Sequence, residues 1–219
     1  MNILFPGLAL APELYVTGFP KACIIDPWVH PWSTASPDLL IAPSTYSRTL
    51  IGHSLGGLVA LEWALMHPEL VDHLLLLDPT TPSERPPSRA EHALLSAMPA
   101  LTPALVPLTM PTLAPFISSS IRHKRYRGSR NIKFLLDELR NAHLRQSRVA
   151  TLLKDHPLPA HIRTTILIGA GNGTEHEFLS EQHQLAQTLN ATLIHLWGEG
   201  HLFPLRHPEL VAPFVPPNY

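Results

Sequence analysis

Short runs of apolar residues recur along the chain, and most of them end in residues that favour turns. Runs of this length without alternating polar positions are typical of strands that are buried on both faces of a parallel sheet. The sequence therefore predicts strands at residues 2–5, 22–25, 48–51, 73–77, 164–168 and 192–197.

Helical segments separate several of these runs. Residues 56–66 follow the third run, and their small and apolar side chains suit a helix that packs against a sheet. Residues 180–189 form another helical segment ahead of the sixth run. Because strands alternate with helices, we expect an α/β fold with right-handed crossovers. The sheet should be mostly parallel, with about six strands and helices on both faces.

The stretch between the fourth and fifth runs departs from this alternation. It begins with a proline-rich linker, and it later contains an amphipathic helix at residues 131–146, whose apolar positions recur at helical spacing. We interpret residues 80–160 as a helical lid inserted into the α/β core. The core then consists of residues 1–79 and 161–219.

Composition narrows the classes of function. The chain has 219 residues, 45% of them hydrophobic, which suits one compact domain. A formal net charge of −1 gives no reason to expect nucleic acid or an anionic membrane as a partner. The single cysteine, Cys23, excludes a disulfide framework and a cysteine-rich zinc site, and the scattered histidines show no metal-ligand spacing. No apolar run approaches the ~20 residues of a membrane span, and no signal peptide is recognised, so we expect a cytoplasmic protein.

The motif that carries chemistry reads Gly52-His53-Ser54-Leu55-Gly56. It is a G-x-S-x-G sequence directly after a predicted strand and directly before a predicted helix. A turn this sharp forces the serine into a strained backbone conformation and exposes its hydroxyl, while the glycines admit neighbouring backbone where a Cβ would not fit. The following helix directs its N-terminus at the site, which favours developing negative charge there.

With this motif the sequence resembles the α/β-hydrolase family, and in particular its small, lid-bearing esterase and acyl-hydrolase branch. Residues 67–71 resemble the family's entry to the next strand, and residues 198–201 and 207–211 resemble its catalytic-histidine loop and last helix. Residues 5–8 resemble its oxyanion loop. The resemblance implies a minimal α/β-hydrolase fold. It also implies hydrolysis of a carboxylic ester or thioester through an acyl-serine intermediate, without a metal or organic cofactor.

Roles for individual residues follow from this chemistry. Ser54 would attack the carbonyl carbon, with His201 as its general base. Backbone N–H groups would bind the oxyanion, and we expect them to come from Leu55 and Leu8, because Pro6 has no N–H to donate.

The third member of the triad stays open. The family usually carries an acid after the fifth of these strands, but Asn172 stands at the matching position. Glu175 could reach His201 from the same loop, and Glu177 is a further alternative. Some relatives carry the acid after the preceding strand, where this chain has Asp78. We name Glu175 and Asp78 as the candidate acids.

Two other features suggest substrate contacts. Trp28 follows the second predicted strand and could line an acyl or alcohol pocket, or simply pack a loop. Residues 122–130 form a basic run in the lid, in which Arg122 and Arg125 could receive an anionic substrate or an acidic carrier protein. The alternative for this run is a solvated lid surface.

Competing functions use the same fold. The α/β-hydrolase fold also hosts acyltransferases, C–C hydrolases and lyases, which would keep the same site but change the products. A non-catalytic, hydrolase-fold binding protein is a further alternative, for which the missing aspartate after the fifth strand is the argument.

Overall fold

The structure is a computed structural model that describes residues 1–30, 48–83, 118–171 and 175–217. In these ranges the strands form a single sheet, in which every neighbouring pair is parallel. The order across the sheet is β2-β1-β3-β4-β5-β6. The strands are β1 (Asn2–Phe5), β2 (Ala22–Ile24), β3 (Thr49–His53), β4 (His73–Leu77), β5 (Arg163–Ala170) and β6 (Thr192–Trp197).

Helices lie between β3 and β4, between β4 and β5, and between β5 and β6, as the alternating pattern predicts. The α-helices are α1 (Leu55–Met66), α2 (Ser119–Tyr126), α3 (Ser129–Asp155), α4 (His176–Thr188) and the short α5 (Phe203–Arg206). Single 3₁₀ turns begin at prolines, whose fixed φ and missing N–H suit the first position of a helix. They span Pro12–Leu14, Pro68–Leu70, Pro208–Leu210 and Ala212–Phe214, the last with its proline at the second position.

Successive residues of a strand point to opposite faces of the sheet, so these apolar strands place apolar side chains on both faces. Helices and loops therefore cover both faces. On one face, Leu50 and Leu74 pack with Leu58 and Trp63 of α1 and with Val149 of α3. The other face holds a second buried cluster, formed by Leu4, Ile51, Leu75, Leu167, Tyr15, Phe203 and Val211. The predicted α/β class, parallel sheet and double-sided covering are therefore confirmed.

Several boundaries differ from the predicted ones, and α4 begins at His176, where we predicted residue 180. We predicted that β3 ends at residue 51, but it runs to His53, whose ring is buried by contacts described below. We predicted that the lid helix ends at residue 146, but α3 continues to Asp155. Buried Val149 continues its apolar spacing, and the helix ends before Pro157, because a proline disfavours helical backbone in the residue before it.

The segment between β4 and β5 contains α2 and α3, as a helical insertion requires. Its use as a lid, with limits at residues 80 and 160, stays a prediction. Across the ranges that the structure describes, no helix has both the length and the apolar character that crossing a membrane requires.

Candidate active site

Ser54 occupies the sharp turn between β3 and α1. Its backbone has φ 55° and ψ −125°, a strained conformation for a residue with a side chain. Its N–H donates to the carbonyl oxygen of Leu77 at 3.0 Å, and its own carbonyl oxygen accepts from the N–H of Thr80 at 3.0 Å. The strained turn that the motif predicts is therefore present. Backbone hydrogen bonds hold it to Leu77 at the end of β4 and to Thr80 just after that strand.

The two glycines of the motif are required by crowding. A Cβ on Gly52 would lie 2.5 Å from the Cα of Gly57, and a Cβ on Gly56 would overlap the carbonyl oxygens of Phe5 and Pro6. The close approach of backbone that the motif predicts is therefore present, and the structure identifies this backbone as the end of β1.

His201 lies between β6 and α5, and its side chain is half exposed. Its Nδ1 is 3.2 Å from Oδ2 of Asp78, the residue directly after β4. The Asp78 carboxylate is buried, and its Oδ1 accepts the N–H of Gly169 at 2.8 Å. Because a carboxylate only accepts hydrogen bonds, Nδ1 of His201 donates, and Nε2 is left as the basic atom.

The other candidate acids have different surroundings. Glu175 is exposed at the start of α4, and it lines the same cleft of about 700 Å³ as Asp78 and His201. Glu177 is exposed in the first turn of α4, and Asn172 lies outside the described residues. Of the candidates that the structure describes, Asp78 is the one that hydrogen-bonds His201.

The loop after β1 lies against the nucleophile turn. A Cβ added to Gly7 would be 3.1 Å from Cβ of Ser54, so this backbone borders the serine side chain. The N–H of Gly7 already donates to the hydroxyl of Tyr15 at 3.2 Å. This leaves the half-buried Leu8 as the candidate oxyanion donor of the loop. Leu55 is the first residue of α1, where backbone N–H groups have no partner within the helix.

His53 and Tyr15 form a buried polar pair that our sequence reasoning missed. The Tyr15 hydroxyl is 2.6 Å from Nδ1 of His53, and Nε2 of His53 is 2.9 Å from the carbonyl oxygen of His201. Burial first, and then the charge of His201, lower the pKa of His53 to about 3. Burial raises the pKa of Tyr15, so both side chains are neutral at pH 7. The signal in the sequence was a histidine at the end of an otherwise apolar strand.

Two of the predicted substrate residues, Trp28 and Arg125, lie where α2 contacts the loops after β1 and β2. The guanidinium of Arg125 in α2 binds Glu13 and Asp26 at 2.8 Å each, and its side chain is only 8% exposed. It also lies over the ring of Trp28, which packs edge-on against Tyr126. Although burial opposes the charge, the hydrogen bonds that Arg125 donates to the carboxylates of Glu13 and Asp26 raise its pKa. A substrate role for Trp28 or Arg125 stays a prediction, and the side chain of Arg122 lies outside the described residues.

The part of the chain that the structure describes contains no group of three or more His, Cys, Asp or Glu side chains arranged to hold a metal ion.

Comparisons with known proteins agree with this fold. The sequence profile of the Alpha/beta hydrolase family matches residues 9–214. None of the curated proteins compared is similar enough in sequence to count as a match.

Solved structures share the architecture at low sequence identity. Cfl2 from Burkholderia cenocepacia superposes with a TM-score of 0.72 at 16% identity, over 97% of this chain and 85% of that one. A probable hydrolytic enzyme from Pseudomonas aeruginosa has a TM-score of 0.63 at 15% identity, over 97% and 83%. The thioesterase domain from the curacin biosynthetic pathway has a TM-score of 0.58 at 16% identity, over 97% and 89%. At these identities the likeness shows the fold alone.

Proposed function

Because the chain belongs to the alpha/beta hydrolase family, we propose that it is a serine hydrolase that cleaves a carboxylic ester or thioester. The observation that carries the proposal is the hydrogen bond between His201 and buried Asp78, beside the strained turn of Ser54. A nucleophile, a base and an orienting carboxylate are the three groups that acyl transfer through a serine requires.

In the proposed acylation step, Ser54 Oγ attacks the substrate carbonyl carbon and its proton passes to Nε2 of His201. The carbonyl oxygen becomes an oxyanion, which accepts hydrogen bonds from the N–H groups of Leu55 and Leu8. The positive N-terminal end of α1 adds to this stabilisation. Asp78 holds the proton on Nδ1 and stabilises the imidazolium that forms.

The intermediate then collapses. The carbon–oxygen or carbon–sulfur bond of the substrate breaks, and the leaving alcohol or thiol takes the proton from Nε2 of His201. Water next attacks the acyl-serine while His201 accepts one of its protons, and collapse of the second intermediate returns that proton to Ser54 Oγ. The products are the free acid and the alcohol or thiol.

The proposed substrates are small acyl esters or thioesters. The name of the curacin thioesterase domain supports including thioesters in the first assays. An acidic carrier protein is a weaker proposal, because Lys124 and Arg125, two cations of the basic run, are already paired with Glu13. A panel of p-nitrophenyl esters and acyl thioesters of graded length, free and carrier-bound, separates these substrates.

A fluorophosphonate probe tests the nucleophile. We expect wild type to be labelled at Ser54, and Ser54→Ala to lose both labelling and turnover by at least about 10⁴-fold. Ser180→Ala, which changes an exposed serine of α4, is the matched control and should label like wild type. His201→Ala should remain folded but lose turnover.

The same experiments distinguish the alternatives. Absence of labelling in folded wild type would support a non-catalytic binding protein. Labelling with ester products in the presence of an acceptor alcohol would support acyl transfer instead of hydrolysis.

A further inference from the structure

A buried chain of hydrogen bonds links the loop after β1 to the loop that carries His201. The N–H of Gly7 donates to the Tyr15 hydroxyl at 3.2 Å, and this hydroxyl is 2.6 Å from Nδ1 of His53. On the other side of the ring, Nε2 of His53 is 2.9 Å from the carbonyl oxygen of His201. Tyr15 and His53 are both fully buried.

The chain has one possible direction. A carbonyl oxygen only accepts hydrogen bonds, so Nε2 of His53 donates to His201 and carries the proton of the neutral ring. Nδ1 of His53 then has a lone pair, which accepts the hydroxyl proton of Tyr15. The oxygen of Tyr15 in turn accepts the N–H of Gly7. The assignment of donor and acceptor is therefore fixed at every hydrogen bond of the chain.

We infer that Tyr15 and His53 are positioning residues, which hold the loops of Leu8 and His201 in register with Ser54. The inference rests on the proposed serine-hydrolase function. It adds two side chains that do not touch the reacting atoms but that join the proposed oxyanion donor, nucleophile turn and base.

The packing around this chain explains why its loss should affect chemistry. A Cβ on Gly7 would lie 3.1 Å from Ser54 Cβ and 3.4 Å from His53 Nδ1, so the loop touches both residues. The bond to Nδ1 of His53 orients the Tyr15 hydroxyl so that its oxygen faces the N–H of Gly7. If the hydroxyl, or the acceptor that orients it, is removed, this buried N–H loses a correctly placed acceptor, and the loop must move to satisfy it. A displacement of about 1 Å at a reacting centre can cost about 10²-fold in rate.

The neutrality of His53 also suits the chemistry of His201. The two rings are 4.9 Å apart between centroids. During the reaction His201 becomes a cation, and a second charged imidazole at this distance would oppose that charge. A histidine that stays neutral can therefore hold the loop without raising the energy of the imidazolium.

Each half of the chain can be removed separately. Tyr15→Phe removes the hydroxyl and keeps the ring. His53→Asn keeps an acceptor near the position of Nδ1 for Tyr15 but loses the donor to His201. His53→Gln keeps a donor near the position of Nε2 but loses the acceptor, and His53→Ala loses both. Each variant is assayed for kcat and KM per active site, with the sites counted by fluorophosphonate titration.

We expect Tyr15→Phe to lower kcat per titrated site by about 10–100-fold while KM stays within about 3-fold. The same substitution should cost as much in the His53→Asn background, where the acceptor is present. It should cost less than about 3-fold in the His53→Gln background, where the acceptor is already gone. His53→Ala should be the most impaired of the three histidine variants.

Tyr126→Phe is the matched control. The Tyr126 hydroxyl bonds the same loop, donating to the carbonyl oxygen of Ala9 at 2.7 Å and accepting from the N–H of Ala11 at 3.1 Å, without contacting His53. Its cost should therefore be the same in wild type and in His53→Gln. A purely structural role for Tyr15 would reduce the titrated fraction or the melting temperature and leave kcat per site unchanged.

The outcomes separate the two proposals. If wild type is labelled at Ser54 but Tyr15→Phe keeps the wild-type kcat per site, the positioning inference is overturned and the proposed function stands. Equal costs of Tyr15→Phe in wild type, in His53→Asn and in His53→Gln would also overturn it. If wild type is neither labelled nor active, the proposed function fails, and the positioning inference fails with it.

Discussion

Replacing Asp78 by asparagine tests the assignment of the acid most directly, because the structure dictates how the new amide must lie. Oδ1 of Asp78 accepts the N–H of Gly169, and Oδ2 faces Nδ1 of His201. In Asp78→Asn, the amide oxygen must stay on the Gly169 side, since an NH₂ group cannot accept that hydrogen bond. The NH₂ group then faces His201 and donates to Nδ1.

This reversed hydrogen bond gives the expected magnitude. Nδ1 of His201 becomes an acceptor, so the proton of the neutral ring moves to Nε2, where the reaction needs a lone pair. A comparable replacement in a serine-protease triad lowers kcat by about 10⁴-fold. That factor corresponds to about 5 kcal/mol of transition-state stabilisation. The shape of the side chain is unchanged, so the protein should fold.

The assay is hydrolysis of a p-nitrophenyl ester, with kcat expressed per titrated active site. Glu175→Gln is the matched control, because Glu175 is an exposed carboxylate that lines the same cleft. We expect it to change kcat by less than about 3-fold, as removal of an exposed charge has a small effect. A loss of about 10⁴-fold in Glu175→Gln, with near wild-type activity in Asp78→Asn, would refute the assignment.

Three further predictions concern packing and charge. Gly56→Ala should destabilise the fold by about 3 kcal/mol or more, seen as a lower melting temperature, because its Cβ would overlap backbone carbonyl oxygens. Arg145→Met should lower the free energy of unfolding in urea by about 3 kcal/mol, since Arg148, with 59% of its side chain exposed, is then the one ion-pair partner of buried Glu62 among the described residues. Arg148→Met should cost less than about 1 kcal/mol, because an exposed partner contributes little. Equal losses would contradict this reasoning. The pKa of His53 is about 3 in the fold against an ordinary 6.5, so unfolding takes up a proton below pH 6.5. Its contribution to stability is present above pH 6.5 and is lost as pH falls towards 3, by at most about 1.4 kcal/mol per pH unit. His53→Asn should flatten that slope in urea titrations between pH 7 and 4, and an unchanged slope would count against the buried neutral ring.

The parts of the fold that could be predicted are those with a local signal. β4 was predicted at residues 73–77 and spans His73–Leu77, because a short apolar run bounded by turns has few other structures available. The nucleophile turn was predicted for a similar reason, since Gly52 and Gly56 are needed only where backbone approaches closely. In both cases the sequence signal and its structural cause lie within a few residues.

The acid could not be assigned in this way. Asp78 follows β4 and Glu175 follows β5, and in a parallel sheet the carboxyl ends of all strands meet at the same edge. Spacing along the chain therefore cannot tell which carboxylate reaches His201. The choice depends on loop conformation, here a positive φ of 43° at Asp78 and the N–H that Gly169 offers to its carboxylate.

The polar contacts of His53 escaped prediction because they are long-range. Its partners are 38 and 148 residues away along the chain, and nothing near the motif specifies either of them. The buried Glu62 in an apolar helix, paired with Arg145 of the insertion, is a similar case. A polar residue inside an apolar run indicates that a partner exists, but only the fold identifies it.

The attachment of the base loop explains how a sheet of this size could support the proposed triad. Ser54 donates its N–H to the carbonyl oxygen of Leu77, so the candidate nucleophile and the carboxylate of the next residue, Asp78, are fixed by one strand pair, β3 and β4. The His201 loop is hydrogen-bonded to both of these strands. Its ring bonds Asp78, directly after β4, and its carbonyl oxygen accepts from His53, the last residue of β3. The relative positions of Ser54, Asp78 and His201 are thus set by the pairing of two central strands, β3 and β4. It follows that the proposed reaction should tolerate neutralisation of Glu175 but not the loss of either hydrogen bond to the His201 loop.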